Sequence, residues 1–146
     1  DASVDVVVCN QVYEHVSDPQ QLIREIFRIL KPGGRCYFAG PNLIFPIEPH
    51  VFWPFVHWLP RGFAVKLMRV CGSSGVLDAN STHYWRLRRW LGAFHIRNSV
   101  PYILRNPVLY GRSGALWRML GHMPEWMLDR ATWLSPGFVF MLRKPD

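Results

Sequence analysis

The sequence predicts an α/β fold in which parallel strands are joined by a crossover helix, and three observations predict it. The β-branched run from Val4 to Cys9 is typical of a strand buried on both faces of a parallel sheet. A second strand, Arg35 to Ala39, completes a strand–helix–strand unit. Between them, apolar residues recur at the spacing of an amphipathic helix: Leu22, Ile23, Ile26, Phe27 and Leu30.

The ends of this helix are indicated by the residue types around it. Asp18 offers an N-cap oxygen, and Pro19 suits the first turn, where the missing N–H is not needed. At the other end Lys31 places a cation at the negative end of the helix dipole, and Pro32, Gly33 and Gly34 cannot continue the helix. We therefore predict a helix that begins at Pro19 and ends before the 31–34 turn.

A long insertion separates this unit from the rest of the predicted core. Residues 43–80 are rich in proline and aromatic residues up to Pro60, and an amphipathic pattern then covers Phe63 to Val70. A connection of this length is typical of a lid or a binding segment. We predict one domain, residues 1–146, with 43–80 as a lid-like insertion.

The C-terminal part returns to regular structure. Ser81 and Thr82 are predicted to cap a helix from His83 to Leu91. A strand within 94–100 follows, then two helices within 113–122 and 125–133, and a last strand over 137–142. In the helix from His83 to Leu91, the side chains predicted to face the core are Tyr84, Leu87, Trp90 and Leu91.

Composition and charge limit the classes of function. With 49% apolar and 18% charged residues, the chain must form a buried core and is not disordered. Residues 81–146 carry ten basic and three acidic side chains, which accounts for the whole net charge of +7. We interpret this basic half either as a solvated helix surface or as a surface for an anionic membrane or nucleic acid. Nucleic acid is disfavoured because no binding motif accompanies the charge.

Cysteine usage and hydropathy indicate a cytoplasmic protein, with peripheral contact to a membrane left open. Cys9, Cys36 and Cys71 are odd in number and show no metal-ligand spacing, so we expect reduced core thiols. The most apolar stretch, residues 43–59, contains three prolines and is therefore not predicted to span a lipid bilayer.

The N-terminal motifs point to one family. Residues 5–16 read Asp-Val-Val-Val-Cys-Asn-Gln-Val-Tyr-Glu-His-Val, followed by Ser-Asp-Pro at 17–19, Leu-Lys-Pro-Gly-Gly at 30–34 and Pro-Asn at 41–42. In this order they resemble class I S-adenosylmethionine-dependent methyltransferases, in particular the methyltransferase type 11 branch. The resemblance implies a Rossmann-like fold. This block would be its fourth strand, the following helix and its fifth strand, and an antiparallel hairpin would close the sheet.

The resemblance also implies that part of the domain lies outside this sequence. The family's glycine-rich loop and the acidic residue that binds the cofactor ribose both precede the fourth strand. We therefore expect an incomplete fold, from the fourth strand onward, as the C-terminal part of a longer enzyme. Alone, this fragment is expected to be inactive, and the apolar edge of its first strand would allow copies to associate.

The predicted cofactor site is the loop that leaves the first strand. By the resemblance, this loop lines the methionine end of S-adenosylmethionine, with Cys9, Asn10, Gln11 and Val12 as the cofactor-binding residues. In open α/β sheets ligands bind beyond the carboxyl ends of the strands, which agrees with this position. The cofactor implied is therefore S-adenosylmethionine.

Three side chains are candidate catalytic residues. His15, after Glu14, is interpreted either as an anchor for the loop or as a general base that takes a proton from a substrate hydroxyl. Glu48 and His50, in the insertion, could reach a substrate or be polar groups of a surface loop. No metal is expected: small-RNA 2′-O-methyltransferases have a Glu-x-x-Glu-His motif here, and this chain has Gln11 in place of the first carboxylate.

The insertion suggests the kind of acceptor. Its aromatic residues would position a methyl acceptor and exclude water from it; they are Phe45, Phe52, Trp53, Phe55, Trp58 and Phe63. We predict methyl transfer to a small, apolar or amphipathic acceptor, such as a lipid-like or quinone-like molecule. The alternative is a non-catalytic module, derived from a methyltransferase half-domain, that binds a membrane surface or nucleic acid.

Overall fold

The computed structural model describes residues 1–47, 53–72 and 81–146, which form a sheet with helices packed on it. The strands are Val4–Asn10 (β1), Leu30–Pro41 (β2), His95–Asn98 (β3) and Gly137–Arg143 (β4). The α-helices are Pro19–Ile29 (α1), Arg61–Val70 (α2), Tyr84–Trp90 (α3), Val100–Arg105 (α4), Ala115–Gly121 (α5) and Glu125–Arg130 (α6). Short 3-10 helices cover Val56–Trp58, Pro107–Tyr110 and Thr132–Leu134.

The sheet is mixed, with the strand order β1-β2-β4-β3. β1 and β2 are parallel and are joined by α1, whereas β4 runs antiparallel to both β2 and β3. The predicted crossover unit and the predicted antiparallel closure are both present. Because β1 and β2 are parallel neighbours, the loops that follow their carboxyl ends emerge at the same edge of the sheet.

The start of α1 agrees with the sequence prediction. The Asp18 carboxylate accepts a hydrogen bond from the Gln21 N–H at 2.9 Å, and Pro19 is the first helical residue. The end of α1 differs, because residues 30–34 belong to β2 and do not form a separate turn. Lys31 does not serve the helix end: its Nζ binds the Asp5 carboxylate, 2.9 Å from Oδ2.

The cation at the end of α1 comes from the far end of the chain. Lys144 Nζ donates to the carbonyl oxygens of Phe27 at 2.8 Å and Leu30 at 2.7 Å. The same ammonium group lies 4.7 Å from the centre of the Phe27 ring. A positive charge near the negative end of a helix dipole is stabilising. This contact also joins α1 to the residues just after β4.

The core lies between one face of the sheet and helices α1 and α3. Burying one of its large side chains contributes about 1.5–3 kcal/mol. The cluster comprises Cys9, Tyr13, Ile23, Ile26, Leu30, Cys36, Phe38, Leu87, Leu91, Phe94, Phe138, Phe140 and Leu142. Within residues 1–146 the prediction that β1 is buried on both faces is not met, because Val6 and Val8 are 64% and 69% exposed. β1 is an edge strand of the described sheet, and association through that edge stays a prediction.

Three further expectations need correction. The N-cap of α3 is His83, whose ring nitrogen accepts from a backbone N–H, and not Ser81 or Thr82. Helix α4 was not anticipated, although Pro101 in its first turn is a signal for a helix start. Cys71 is exposed, so only the other two cysteines are core thiols.

The described part of the insertion has a small core of its own. Val56, Ala64 and Met68 are buried together, and Trp53 and Leu59 pack against them. The amphipathic piece is helix α2, close to the predicted bounds. Among the described residues, no helix combines the length and the apolar character that a bilayer crossing requires. The lid role of residues 43–80 stays a prediction.

We predict that Gly40→Ala destabilises the protein, because a Cβ at this position in β2 would clash with the Tyr13 ring, 2.7 Å from its Cδ1. Overpacking of this kind costs about 1–3 kcal/mol. Gly62→Ala in α2 is the control: its Cβ would meet no atom within 4 Å, and alanine favours helix. Urea denaturation measures both free energies of unfolding, and equal stabilities of the two variants would contradict the expectation.

Candidate active site

The loop after β1 turns back on itself where the strand ends. Gln11 adopts a left-handed backbone conformation (φ 54°), and its N–H donates to the Ala39 carbonyl oxygen at 2.9 Å. The His15 N–H donates to the Val12 carbonyl oxygen at 3.0 Å. Because a left-handed conformation costs about 1–2 kcal/mol for a residue with a side chain, the surrounding contacts must hold this turn in place.

The four predicted cofactor-binding residues do not all face the same way. Asn10, Gln11 and Val12 are exposed at the edge of the sheet, whereas Cys9 is buried in the core. Burial first, and then the charge of Glu14, raise the pKa of Cys9 to about 11, so its thiol is neutral at pH 7. Cys9 can therefore offer a ligand only its backbone.

Tyr13 joins this loop to two other segments. Its hydroxyl donates to the Pro41 carbonyl oxygen at the end of β2 and accepts from the Thr82 N–H at 3.3 Å. The ring is fully buried, stacks on Phe38 with 5.6 Å between ring centres, and fills the space that the missing side chain of Gly40 leaves. Burial raises the pKa of Tyr13, so its hydroxyl remains a hydrogen-bond donor.

Glu14 and His15 form a pair with one buried and one accessible member. The Glu14 side chain is fully buried, and its Oε1 lies 3.9 Å from Nε2 of His15. The His15 side chain is 40% exposed. A buried carboxylate beside an accessible imidazole can hold the ring in position. This geometry is compatible with both roles predicted for His15, the anchor and the base.

Asn42 ties the end of β2 to the C-terminal part of the chain. Its buried Nδ2 donates to the carbonyl oxygens of Trp133 at 2.7 Å and Ser135 at 2.9 Å. Its Oδ1 accepts from the Ile44 N–H at 3.2 Å. Asn42 also forms an isolated parallel bridge with Thr82. The chain leaving β2 is thus fixed beside the segment that leads into α3.

An apolar groove opens where these segments meet. It has a volume of about 350 Å³, is open to solvent, and is lined by Leu43, Ile44, Trp58, His83 and Trp85. The Leu43 N–H donates to the Thr82 carbonyl oxygen at 3.1 Å, and the Trp58 indole N–H donates to the Leu43 carbonyl oxygen at 2.7 Å. The groove therefore lies next to the segment that Tyr13 holds, on the side of the sheet edge where ligands bind in open α/β folds.

Only some of the residues that shape this site were among the sequence predictions. The loop after β1 is in the expected place, whereas Tyr13 and His83 were passed over as candidate residues. Glu48 and His50 lie outside the described residues. Within 1–47, 53–72 and 81–146, no three His, Cys, Asp or Glu side chains are grouped so that they could hold a metal ion. The absence of a metal stays a prediction.

Comparison with known proteins identifies the N-terminal motifs. Residues 1–38 match the model of a family described as a methyltransferase domain. This segment is therefore similar to methyltransferase domains, as its motifs indicate. An uncharacterized protein of Mycobacterium tuberculosis is 30% identical over 122 residues, which are 82% of this chain and 37% of that protein. The cofactor of this family is S-adenosylmethionine.

Two further relatives match shorter stretches. A protein of Mycolicibacterium smegmatis, named as a probable S-adenosylmethionine-dependent methyltransferase, is 54% identical over 44 residues, or 30% of this chain and 17% of that protein. A ubiquinone biosynthesis O-methyltransferase of Pseudomonas fluorescens is 50% identical over 38 residues, or 26% of this chain and 16% of that enzyme. The chain thus spans well under half the length of these curated relatives.

A solved structure confirms the fold class. An S-adenosylmethionine-dependent methyltransferase from Mesorhizobium loti aligns with 98% of this chain and 63% of its own chain, with a TM-score of 0.50 and 15% sequence identity. The α/β, Rossmann-like methyltransferase fold expected from the N-terminal motifs is therefore confirmed. At this identity the likeness concerns the fold alone.

We predict that Tyr13→Phe lowers the free energy of unfolding by about 1–3 kcal/mol, because the Thr82 N–H and the Pro41 carbonyl oxygen lose a buried partner. Tyr102→Phe is the matched control, since Tyr102 is 53% exposed. Its stability should change by less than about 0.5 kcal/mol. Chemical denaturation followed by circular dichroism compares the two variants. A Tyr13→Phe protein as stable as the control would show that the hydroxyl does not hold the site together.

Proposed function

We propose that this chain is the acceptor-facing, C-terminal part of a longer enzyme that transfers a methyl group from S-adenosylmethionine to a small, apolar or amphipathic acceptor. The observation that carries the proposal is the apolar groove beside the end of β2. Tyr13 connects that groove to the loop that the resemblance assigns to the cofactor. The match to this chain spans only 37% of the Mycobacterium tuberculosis relative, which supports placing the activity in a longer protein.

The residues of the β1 loop fit the methionine end of the cofactor. Asn10 and Gln11 present amide side chains at the sheet edge, and Val12 adds an exposed apolar group. These groups suit a ligand that carries an amino group, a carboxylate and a short apolar chain. When bound, S-adenosylmethionine would supply an electrophilic methyl group at this edge. The ribose and the rest of the cofactor would be held by parts of the longer protein.

The chain's own contribution would be positioning, exclusion of water and proton removal. Methyl transfer requires the attacking atom to be aligned, which an aromatic groove achieves by packing on both sides of the acceptor. If the acceptor atom is a hydroxyl oxygen, its proton must leave as the oxygen gains the methyl group. His15 would take that proton, and the buried Glu14 carboxylate would stabilise the imidazolium that results.

A quinone-like acceptor is the narrower form of the proposal. The Pseudomonas fluorescens relative is named as an enzyme of ubiquinone biosynthesis, and its shared 38 residues are 50% identical. The groove in this chain has two exposed indole rings, Trp58 and Trp85, which suit a flat apolar molecule. These two facts support an aromatic acceptor over a purely aliphatic one.

We predict that His15→Gln lowers kcat for a hydroxyl acceptor by about 10²- to 10⁴-fold in the complete gene product, since that is the usual contribution of a general base. The affinity for S-adenosylhomocysteine should change little. The assay follows the labelled methyl group into a catechol, and calorimetry follows S-adenosylhomocysteine binding. Glu48→Gln and His50→Gln are measured in parallel as the other candidate bases.

His122→Gln is the control, because His122 is an exposed imidazole outside the candidate site. It should leave both kcat and affinity unchanged. A His15→Gln protein with the full rate would remove His15 from the mechanism, and a complete gene product that binds no S-adenosylhomocysteine would overturn the proposed function itself.

A second candidate function is contact with an anionic membrane surface through the C-terminal helical segment, residues 100–134. Leu116 and Met119 lie one turn apart on α5 and are 59% and 61% exposed. Trp126 is 61% exposed, and the Arg130 guanidinium lies 5.6 Å from its ring centre. Exposed apolar side chains can insert into a lipid surface, and neighbouring arginines are attracted to its anionic headgroups.

We predict that the chain sediments with phosphatidylglycerol vesicles more than with phosphatidylcholine vesicles, and that binding weakens as salt rises. The double variant Leu116→Ser/Met119→Ser should bind at least fivefold less, whereas Val70→Ser, which alters a residue 86% exposed on α2, should bind as the parent chain does. Equal loss in both variants, or binding to an oligonucleotide but not to vesicles, would overturn the membrane proposal.

A further inference from the structure

The groove beside β2 combines flat apolar walls with one ring that can donate a hydrogen bond. Trp58 and Trp85 are 52% and 55% exposed, so part of each side chain is accessible to a ligand. The groove is open to solvent and its volume of about 350 Å³ lies near the lower end of the usual range for small-molecule sites, roughly 300–1,000 Å³. Aromatic walls of this kind favour a flat ring, because offset and edge-to-face contacts between rings are favourable.

The protonation of His83 is set by its role as the N-cap of α3. Its Nδ1 accepts a hydrogen bond from the Arg86 N–H at 3.2 Å. A ring nitrogen that accepts cannot carry a proton, so in the neutral ring the proton is on Nε2. His83 is therefore held as a donor at Nε2 and does not have the lone pair there that a base would need.

The position of His83 links the groove to the rest of the site. The preceding residue, Thr82, donates its N–H to the Tyr13 hydroxyl and accepts from the Leu43 N–H. His83 thus follows directly on the segment that is bonded both to the cofactor loop and to the chain leaving β2. Its ring also lies 6.0 Å from that of Trp85, centre to centre.

We propose that this groove is the acceptor site and that it binds a planar aromatic ring carrying an oxygen, to which His83 Nε2 donates a hydrogen bond. The ring packs against the indoles of Trp58 and Trp85, and the oxygen selects it over a hydrocarbon of the same shape. His83 is then a positioning and specificity residue, while proton removal is left to His15. This inference rests on the proposed function, because it assigns the acceptor of that reaction.

The test separates the donor role of His83 from its capping role. His83→Ser keeps a good N-cap but has no group long enough to replace Nε2, whereas His83→Asn keeps the cap and offers an amide N–H. The probes are 4-methylphenol and toluene, which differ by one hydroxyl group. Calorimetry on the complete gene product measures both affinities, and circular dichroism checks that the helix content is unchanged.

We expect the unmodified protein to bind 4-methylphenol about three- to tenfold more tightly than toluene, as one neutral hydrogen bond allows. His83→Ser should bring this ratio close to one without weakening toluene binding, and His83→Asn should restore part of it. Trp85→Leu should weaken both probes, and the control His122→Ser should change neither. If His83→Ser still prefers 4-methylphenol over toluene, His83 is not the donor. If either probe fails to bind the unmodified protein, the groove is not the proposed aromatic site.

The same preparations are assayed for S-adenosylhomocysteine binding and for methyl transfer. If the probes bind with the expected ratio but the complete gene product neither binds S-adenosylhomocysteine nor transfers a methyl group, the proposed function is wrong and the aromatic site stands. If methyl transfer occurs and Trp85→Leu leaves its KM unchanged, the acceptor binds elsewhere and this inference is wrong.

Discussion

The arrangement of the site depends on one buried hydroxyl group. Tyr13 belongs to the loop after β1, yet its oxygen is bonded to the end of β2 and to the residue before the α3 cap. The ring can lie there only because Gly40 has no side chain. Burial keeps the phenol neutral, so the donor and the acceptor that meet it are both satisfied. Tyr13 therefore joins the loop, the end of β2 and the start of α3, and the contacts of Asn42 and Leu43 with Thr82 add to this connection.

Much of the fold could be predicted from the sequence because it follows from local patterns. The run of β-branched residues and the Asp18-Pro19 helix start both depend on neighbours close in sequence. The errors arise where distant residues decide. Lys31 binds Asp5 because the strands lie side by side, and the end of α1 takes its cation from Lys144. No local pattern contains that information.

The candidate site, like the fold, could be predicted only where local sequence determines it. The β1 loop could be located from its motif, since the carboxyl end of a parallel strand is a general place for ligands. The groove could not, because its lining comes from separate stretches of the chain. An aromatic residue such as Trp58 or Trp85 has the same pattern whether it packs in a core or faces a ligand. The chemistry of His83 depends on which ring nitrogen meets the Arg86 N–H, which only three-dimensional structure can show.

The contact between Lys144 and the end of α1 has a consequence for biosynthesis. The first strand–helix–strand unit emerges from the ribosome before β4, and β2 gains its second neighbour only when β4 has been made. The ammonium group that holds the end of α1 belongs to Lys144, the residue directly after β4. Such long-range contacts slow folding, because chain entropy must be lost before they form. We therefore expect the nascent unit to be a client of chaperones until translation has passed Lys144.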